Sequence, residues 1–251
     1  MNTTSSGTSK STDSAQAVKA LMFDVFGTVV DWRTSIRDDM QRWFSGRGIE
    51  RDWEAFAQDW RAKYQPAMER VRAGERDYVR LDELHRENLD ELLVEYDLDA
   101  LGEEEREHLN RTWHRLVPWA DTIPGLVRLQ RAYLLTTLSN GNIALMANLA
   151  KNSGLPWDAI LGAEVTRSYK PDPVTYTRSM EVMALAPHEC MMVAAHNYDL
   201  DMAAKLGMKT AFVARPTEYG ERQHADLKAE GEWDVICNSM IELADHLLEN
   251  R

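Results

Sequence analysis

At 251 residues the chain is long enough for one large domain or two small ones with a full hydrophobic core. Apolar residues make up 44% and there are only 13 Gly and 8 Pro, which excludes a collagen-like, mainly disordered or low-complexity chain. The formal charge is -12, from 29 basic and 41 acidic residues with no basic cluster, so nucleic acid is not expected as a partner, and any site for a small anion must be locally positive.

Residues 1 to 16 are rich in Ser and Thr, lack the apolar core of a signal peptide, and are expected to form a disordered tail. Nowhere does an apolar run approach membrane-spanning length, so no membrane partner is expected. The two cysteines, Cys190 and Cys237, show no CxxC spacing, which fits a reducing, cytoplasmic setting.

The first ordered run, Val18 to Val25, is short, apolar and closed by Gly27-Thr28, as expected of a buried strand. From Ile36 to Trp119 the period becomes helical. Ile36, Met40 and Trp43 mark one amphipathic helix, Trp53 to Tyr64 a second, Leu81 to Tyr96 a third, and Leu109 to Leu116 a fourth. After Pro118 strands and helices alternate: a helix opened by Pro124, a strand at 133–138, a helix at 143–151, and a strand at 159–161. A helix at 173–183, a strand at 190–195, a helix at 200–206, strands at 209–213 and 235–237, and a terminal helix from Met240 complete the chain. This pattern predicts an α/β fold, a doubly wound parallel sheet (17–34 and 118–251) with an all-helical cap (35–117) inserted after the first strand.

In open parallel sheets ligands bind at the carboxyl ends of the strands. Asp24, Thr28, Ser139, Asn140, Lys170 and the run His196 to Asp199 all fall there. The run Phe23 to Asp31 (FDVFGTVVD), with Ser139-Asn140-Gly141, Lys170-Pro171-Asp172 and Asp199 following in order, resembles the haloacid dehalogenase superfamily. The resemblance extends from about Leu21 to the C-terminus and implies its Rossmann-like core and cap. Magnesium-dependent phosphatases of that superfamily carry carboxylates where this chain has Phe26 and Ala194, so no metal or other cofactor is expected. The aromatic at 26, the Trp60-Arg61 pair and the Lys170/Tyr176 spacing instead resemble the L-2-haloacid dehalogenase branch.

That resemblance implies roles. Asp24 is the nucleophile that forms an aspartyl ester with a small 2-haloacid and expels halide. Lys170 keeps it ionised, Asp199 prepares the hydrolytic water, and Thr28 and Tyr176 support them. Arg61 cradles the halide, while Phe26, Trp60, Ser139, Asn140, His196, Asn197 and Tyr198 form the substrate pocket, with Trp32 as a further wall. Structural alternatives stand beside each: a turn Asp at 24, a solvated Lys170, a helix cap at Asp199, an ordinary turn at Ser139, a surface Arg61. His196 is open between a donor to substrate and a core histidine, and the aromatics are open between pocket walls and core packing. His196, Arg61 and Asn140 together raise defluorination as an expectation. A phosphatase with an eroded magnesium site and a non-catalytic binding protein on the same fold are the competing functions. The oligomeric state, with a homodimer as one option, is left open.

Overall fold

The computed structural model describes residues 18–249, so the tail lies outside the described residues. Six strands form one parallel sheet: β1 (Ala20–Phe23), β4 (Leu134–Ser139), β5 (Ala159–Gly162), β6 (Cys190–Ala194), β7 (Lys209–Val213) and β8 (Val235–Cys237). Their order is β5-β4-β1-β6-β7-β8. β1 is central and buried at every residue, because parallel neighbours on both edges and helices on both faces leave it no wet side. The chain runs outward from β1 through β4 and β5 and then crosses back to β6. The carboxyl ends of β1, β4 and β6 therefore border the switch point of a doubly wound sheet.

The helical insertion leaves and returns through a two-stranded antiparallel ribbon, β2 (Val30–Asp31) paired with β3 (Val117–Pro118). Asp31 ends the ribbon and caps α1 (Trp32–Ser45) by accepting the Thr34 amide at 3.0 Å. α2 (Trp53–Ala62), α3 (Tyr64–Arg72), α4 (Leu81–Glu95) and α5 (Glu103–Asn110) follow, then a 3-10 turn at Arg111–Arg115.

The expected second helix is thus broken at Lys63, and α3 begins anew with Pro66 in its first turn, where a missing amide proton costs little. The expected fourth helix starts earlier than its apolar residues suggest. Glu105 accepts the Gly102 amide at 3.0 Å, and three acidic residues complement the helix N-terminus, so a polar turn precedes Leu109.

In the core, α6 (Thr122–Leu129), α7 (Ile143–Ser153), α9 (Pro173–Val182), α10 (Asn197–Lys205) and α11 (Met240–Glu249) flank the sheet. α8 (Ala163–Thr166) is too short to register as a periodicity. α10 starts at Asn197, three residues before its apolar stripe, so the residues expected in a loop form its first turn. Cys190 and Cys237 are buried free thiols, and burial pushes both up to about 12, which leaves them unreactive at neutral pH.

Candidate active site

Asp24 lies one residue beyond β1, and its amide donates to Val193 on β6, which fixes the backbone from which the carboxylate projects. Oδ1 accepts from Lys170 Nζ at 2.9 Å. Oδ2 accepts from Thr28 Oγ at 2.7 Å and faces His196 Nδ1 at 3.0 Å. Thr28 Oγ in turn accepts the Ala195 amide at 2.8 Å, so the hydroxyl proton has a single direction left, toward Asp24.

Lys170 enters from the loop between α8 and α9 and also bonds Asp199 Oδ2, while the Tyr176 hydroxyl donates to Asp199 Oδ1. Lys170 is 1% exposed, Asp199 0% and Asp24 6%, so the charges are desolvated and tolerable only as a mutually bonded set. Burial alone would raise the Asp24 pKa, but Lys170, then His196 and Thr28, outweigh it and hold the carboxyl well below the usual range. Asp199 goes the other way: burial raises it and the charge of Asp24 adds, with Lys170 and Tyr176 offsetting only part.

His196, two residues beyond β6, is clamped between carboxylates, because Nε2 faces Glu218 Oε2 at 3.0 Å. Burial disfavours charge on the ring, yet Glu218 and Asp24 prevail and lift its pKa well above the ordinary histidine value. With an acceptor at each nitrogen, the doubly protonated imidazolium is the form that satisfies both bonds. Glu218 sits on the long β7–β8 loop, where Trp32 Nε1 donates to its Oε1 at 2.9 Å. A cleft of about 390 Å³ opens beside His196, lined by Arg61, Gln65 and Ala62 from the cap and by Trp32, Tyr198 and Tyr219. The Arg61 guanidinium lies 4.1 Å over the Tyr64 ring and lines this cleft, and its buried Nε has no hydrogen-bond partner among the described residues.

A buried carboxylate bonded to a lysine, beside a small cleft lined by an arginine, suits an anion. The family model for haloacid dehalogenase-like hydrolases matches residues 18–207. The chain belongs to the haloacid dehalogenase-like hydrolases. Among relatives of this hydrolase family, the (S)-2-haloacid dehalogenase of Xanthobacter autotrophicus is 32% identical, with 79% of this chain and 76% of that protein aligned. A crystal structure of a defluorinating L-2-haloacid dehalogenase is 45% identical, with a TM-score of 0.90 over 92% of this chain and 95% of the other. A structure of the Xanthobacter autotrophicus L-2-haloacid dehalogenase with chloropropionic acid covalently bound is 25% identical, with a TM-score of 0.76 over 92% and 98% of the two chains.

For this haloacid dehalogenase-like hydrolase the structure brings Asp24, Thr28, Lys170, Tyr176, Asp199 and His196 into one bonded cluster, with Arg61 and Tyr198 on the adjoining cleft. Asn140 joins it through Oδ1, which accepts the Lys170 amide at 2.7 Å. Ser139 is wholly buried, and its Oγ accepts the Gly141 amide at 3.1 Å, so it closes the strand-to-helix turn.

Three expected pocket residues are placed differently. Trp60 is fully buried in the cap, donating to the His85 carbonyl at 3.1 Å, because it packs edge-on to Trp113 rather than facing the cleft. Phe26 packs edge-on against Trp113 and Tyr64 in the seam between cap and core, away from the cleft lining. The Asn197 amide is committed to the β7–β8 loop, bonding Asp226, the Lys228 carbonyl, the Glu230 amide and Trp233. Nor is Asp199 a helix cap: His196 holds that position in α10 and the Asp199 carboxylate faces Lys170.

Glu218 and Tyr64 were not anticipated, since neither lies in a motif. One signal for Glu218 was indirect. Gly27 has φ +89°, and a Cβ there would meet Glu218 Oε1 at 2.1 Å, so the glycine is required by a carboxylate distant in sequence. Gly27→Ala is expected to destabilise the fold by about 1–3 kcal/mol and to displace Glu218 from His196. Urea unfolding together with the His196 ring shifts in NMR would check this, and unchanged values of both would contradict it.

Proposed function

We propose that the chain hydrolyses short 2-haloalkanoic acids, of (S) configuration where the carbon is chiral, to 2-hydroxy acids through an ester on Asp24. The observation that carries this is Asp24 held ionised by Lys170 beside a small cleft that the Arg61 side chain lines. Asp24 attacks the halogen-bearing carbon in line, the carbon–halogen bond breaks, and the halide leaves with the bonding pair. Arg61 meets the charge that develops on the halogen, where a buried donor is worth most. Water then adds to the ester carbonyl. Asp199, whose pKa is raised by burial and whose geometry is set by Lys170 and Tyr176, is the proton acceptor.

The phosphatase alternative finds no support in the donor set. Ala194 and Phe26 bring no oxygen, and the Lys170 ammonium already bridges Asp24 and Asp199. Among the described residues no group of three His, Cys, Asp or Glu could hold a metal ion. A purely binding role does not need a nucleophile kept ionised in a desolvated cleft.

The test is halide release from fluoro-, chloro- and bromoacetate and from both enantiomers of 2-chloropropionate, all with EDTA. Release undiminished by the chelator and confined to the (S) enantiomer is expected, with (R)-lactate as product. Magnesium-dependent phosphate release without halide release would favour the phosphatase instead. Fluoroacetate belongs in the proposed range because fluoride, the poorest leaving group among halides, depends most on donors such as Arg61. Fluoride release that survives Arg61→Ala undiminished would sink that part.

A further inference from the structure

The two oxygens of Asp24 are not equivalent. In the plane of a carboxylate each oxygen offers about two lone-pair directions. Oδ2 has both engaged, by Thr28 Oγ at 2.7 Å and His196 Nδ1 at 3.0 Å, whereas Oδ1 has only Lys170 Nζ at 2.9 Å among the described residues. A nucleophile needs an open lone pair, and an ester carbonyl oxygen needs donors already aimed at it. We propose that Asp24 Oδ1 is the attacking oxygen, and that Thr28 and the imidazolium of His196, kept in place by Glu218 as a positioning residue, form the oxyanion hole that receives Oδ2 during ester hydrolysis.

The assignment rests on the dehalogenase reading and divides the reaction in two. In the first half the Oδ1 pair forms the bond to the α-carbon and the halide departs with the carbon–halogen pair. His196 and Thr28 only hold the other oxygen in place. In the second half water adds to Cγ, its proton passes to Asp199, and the carbonyl π pair moves onto Oδ2. Collapse then breaks the Cγ–Oδ1 bond, the proton held by Asp199 goes to the departing oxygen to give the 2-hydroxy acid, and the hydroxyl left on Cγ loses the second water proton to solvent, which restores the Asp24 carboxylate. Negative charge peaks on Oδ2 only in that second half, and a donor that is itself cationic stabilises it most there.

Glu218 makes the donor cationic. It bonds Nε2 from the side opposite Asp24, is 1% exposed, and is itself held by Trp32 Nε1 and by the glycine at 27 that leaves room for it. The other charged or titratable groups around the His196 ring are Arg61 from the cap, Tyr219 and Asp226 on the same loop as Glu218, and Tyr198, stacked 5.7 Å away on its own helix. None of these bonds a ring nitrogen. Glu218 is therefore the group whose removal lets the ring lose its proton while leaving its neighbours in place.

The experiment is rapid-quench bromide release from bromoacetate, with intact-protein mass on the same samples, for the wild type, His196→Ala and Glu218→Gln. Both variants are expected to keep a bromide burst approaching one per protein, because alkylation does not use the oxyanion hole. Steady-state turnover is expected to fall by about 10²–10³ in His196→Ala, the effect of losing one such donor, and by about 10-fold in Glu218→Gln, below that range because the donor stays and only its charge is lost. Both should accumulate the carboxymethyl ester on Asp24. Glu218→Gln should also lose activity on the alkaline side at a lower pH than the wild type, and Glu218→Asp should recover part of the turnover.

The burst counts folded, competent sites, so a misfolded variant is separated from a slow one by dividing turnover by burst amplitude. Variants in which burst rate and turnover fall together, or in which neither falls and no ester builds up, would overturn the assignment. Wild-type protein that releases no halide from any 2-haloacid would overturn the dehalogenase reading itself and this assignment with it.

Discussion

Asp24→Asn is expected to lower halide release by a factor on the order of 10⁴ to 10⁶, the loss seen when a nucleophile is removed from an otherwise intact cluster. Asparagine keeps the shape and can still accept from Thr28, but its neutral amide cannot attack the α-carbon. Because Lys170 is the shared partner of Asp24 and Asp199, the variant should remain folded with Asp199 carrying the ion pair. The check is bromide release together with protein mass: no burst and no ester adduct. A variant that still gains the mass of the carboxymethyl group would place the nucleophile elsewhere.

Lys170→Met should cost about 3–5 kcal/mol of stability, the penalty for leaving a buried charge without its partner. Methionine fills the volume, so the loss would come from electrostatics. Two carboxylates would then face each other in a site where both are desolvated, and Asp24 would be driven toward its protonated form.

The sign of the pH dependence follows from the directions of the shifts. The folded pKa of Asp24 lies below its unfolded value, so its contribution to stability is present above about 3.9 and is lost as pH falls through the folded value. Lys170 is raised because, although burial works against its charge, Asp199 and Asp24 prevail. Its contribution is complete below about 10.4 and is lost as pH rises through the folded value. Wild-type activity should therefore hold its acid limb at low pH, and in Lys170→Met that limb should move upward. Urea unfolding across a pH series and a pH–rate profile measure the two effects. A variant equally stable at neutral pH, with the acid limb unmoved, would show that the ammonium does not hold Asp24 ionised.

Much of the site was legible because its residues sit at places the local pattern defines. A buried apolar run ending in Asp24, a glycine–threonine turn after it, and polar residues after the strands at 139 and 196 are features of a few consecutive residues. Strand geometry and burial then dictate where those side chains emerge. Element types followed from periodicity for the same reason. Errors came where one residue decides an ending, as at Lys63, or where a polar first turn hides a helix start, as in α5 and α10.

What a side chain faces is a different matter, since that depends on segments brought together across the fold. Trp60 and Phe26 have the aromatic character of pocket walls, and only the packing of Trp113 against both turns them into core. Asn197 stands among the site residues in sequence, yet its amide is consumed by a loop some thirty positions later. The clearest case is His196, which local sequence leaves undecided between donor and core residue. Asp24 lies 172 positions before it and Glu218 22 positions after, and only their convergence on its two nitrogens makes it a cation. By itself the sequence determined the sheet and placed Asp24 at the end of its first strand, because burial and backbone geometry are local demands. The charge state of the site was decided by tertiary structure, because Coulomb energies depend on distance through space and not on separation along the chain.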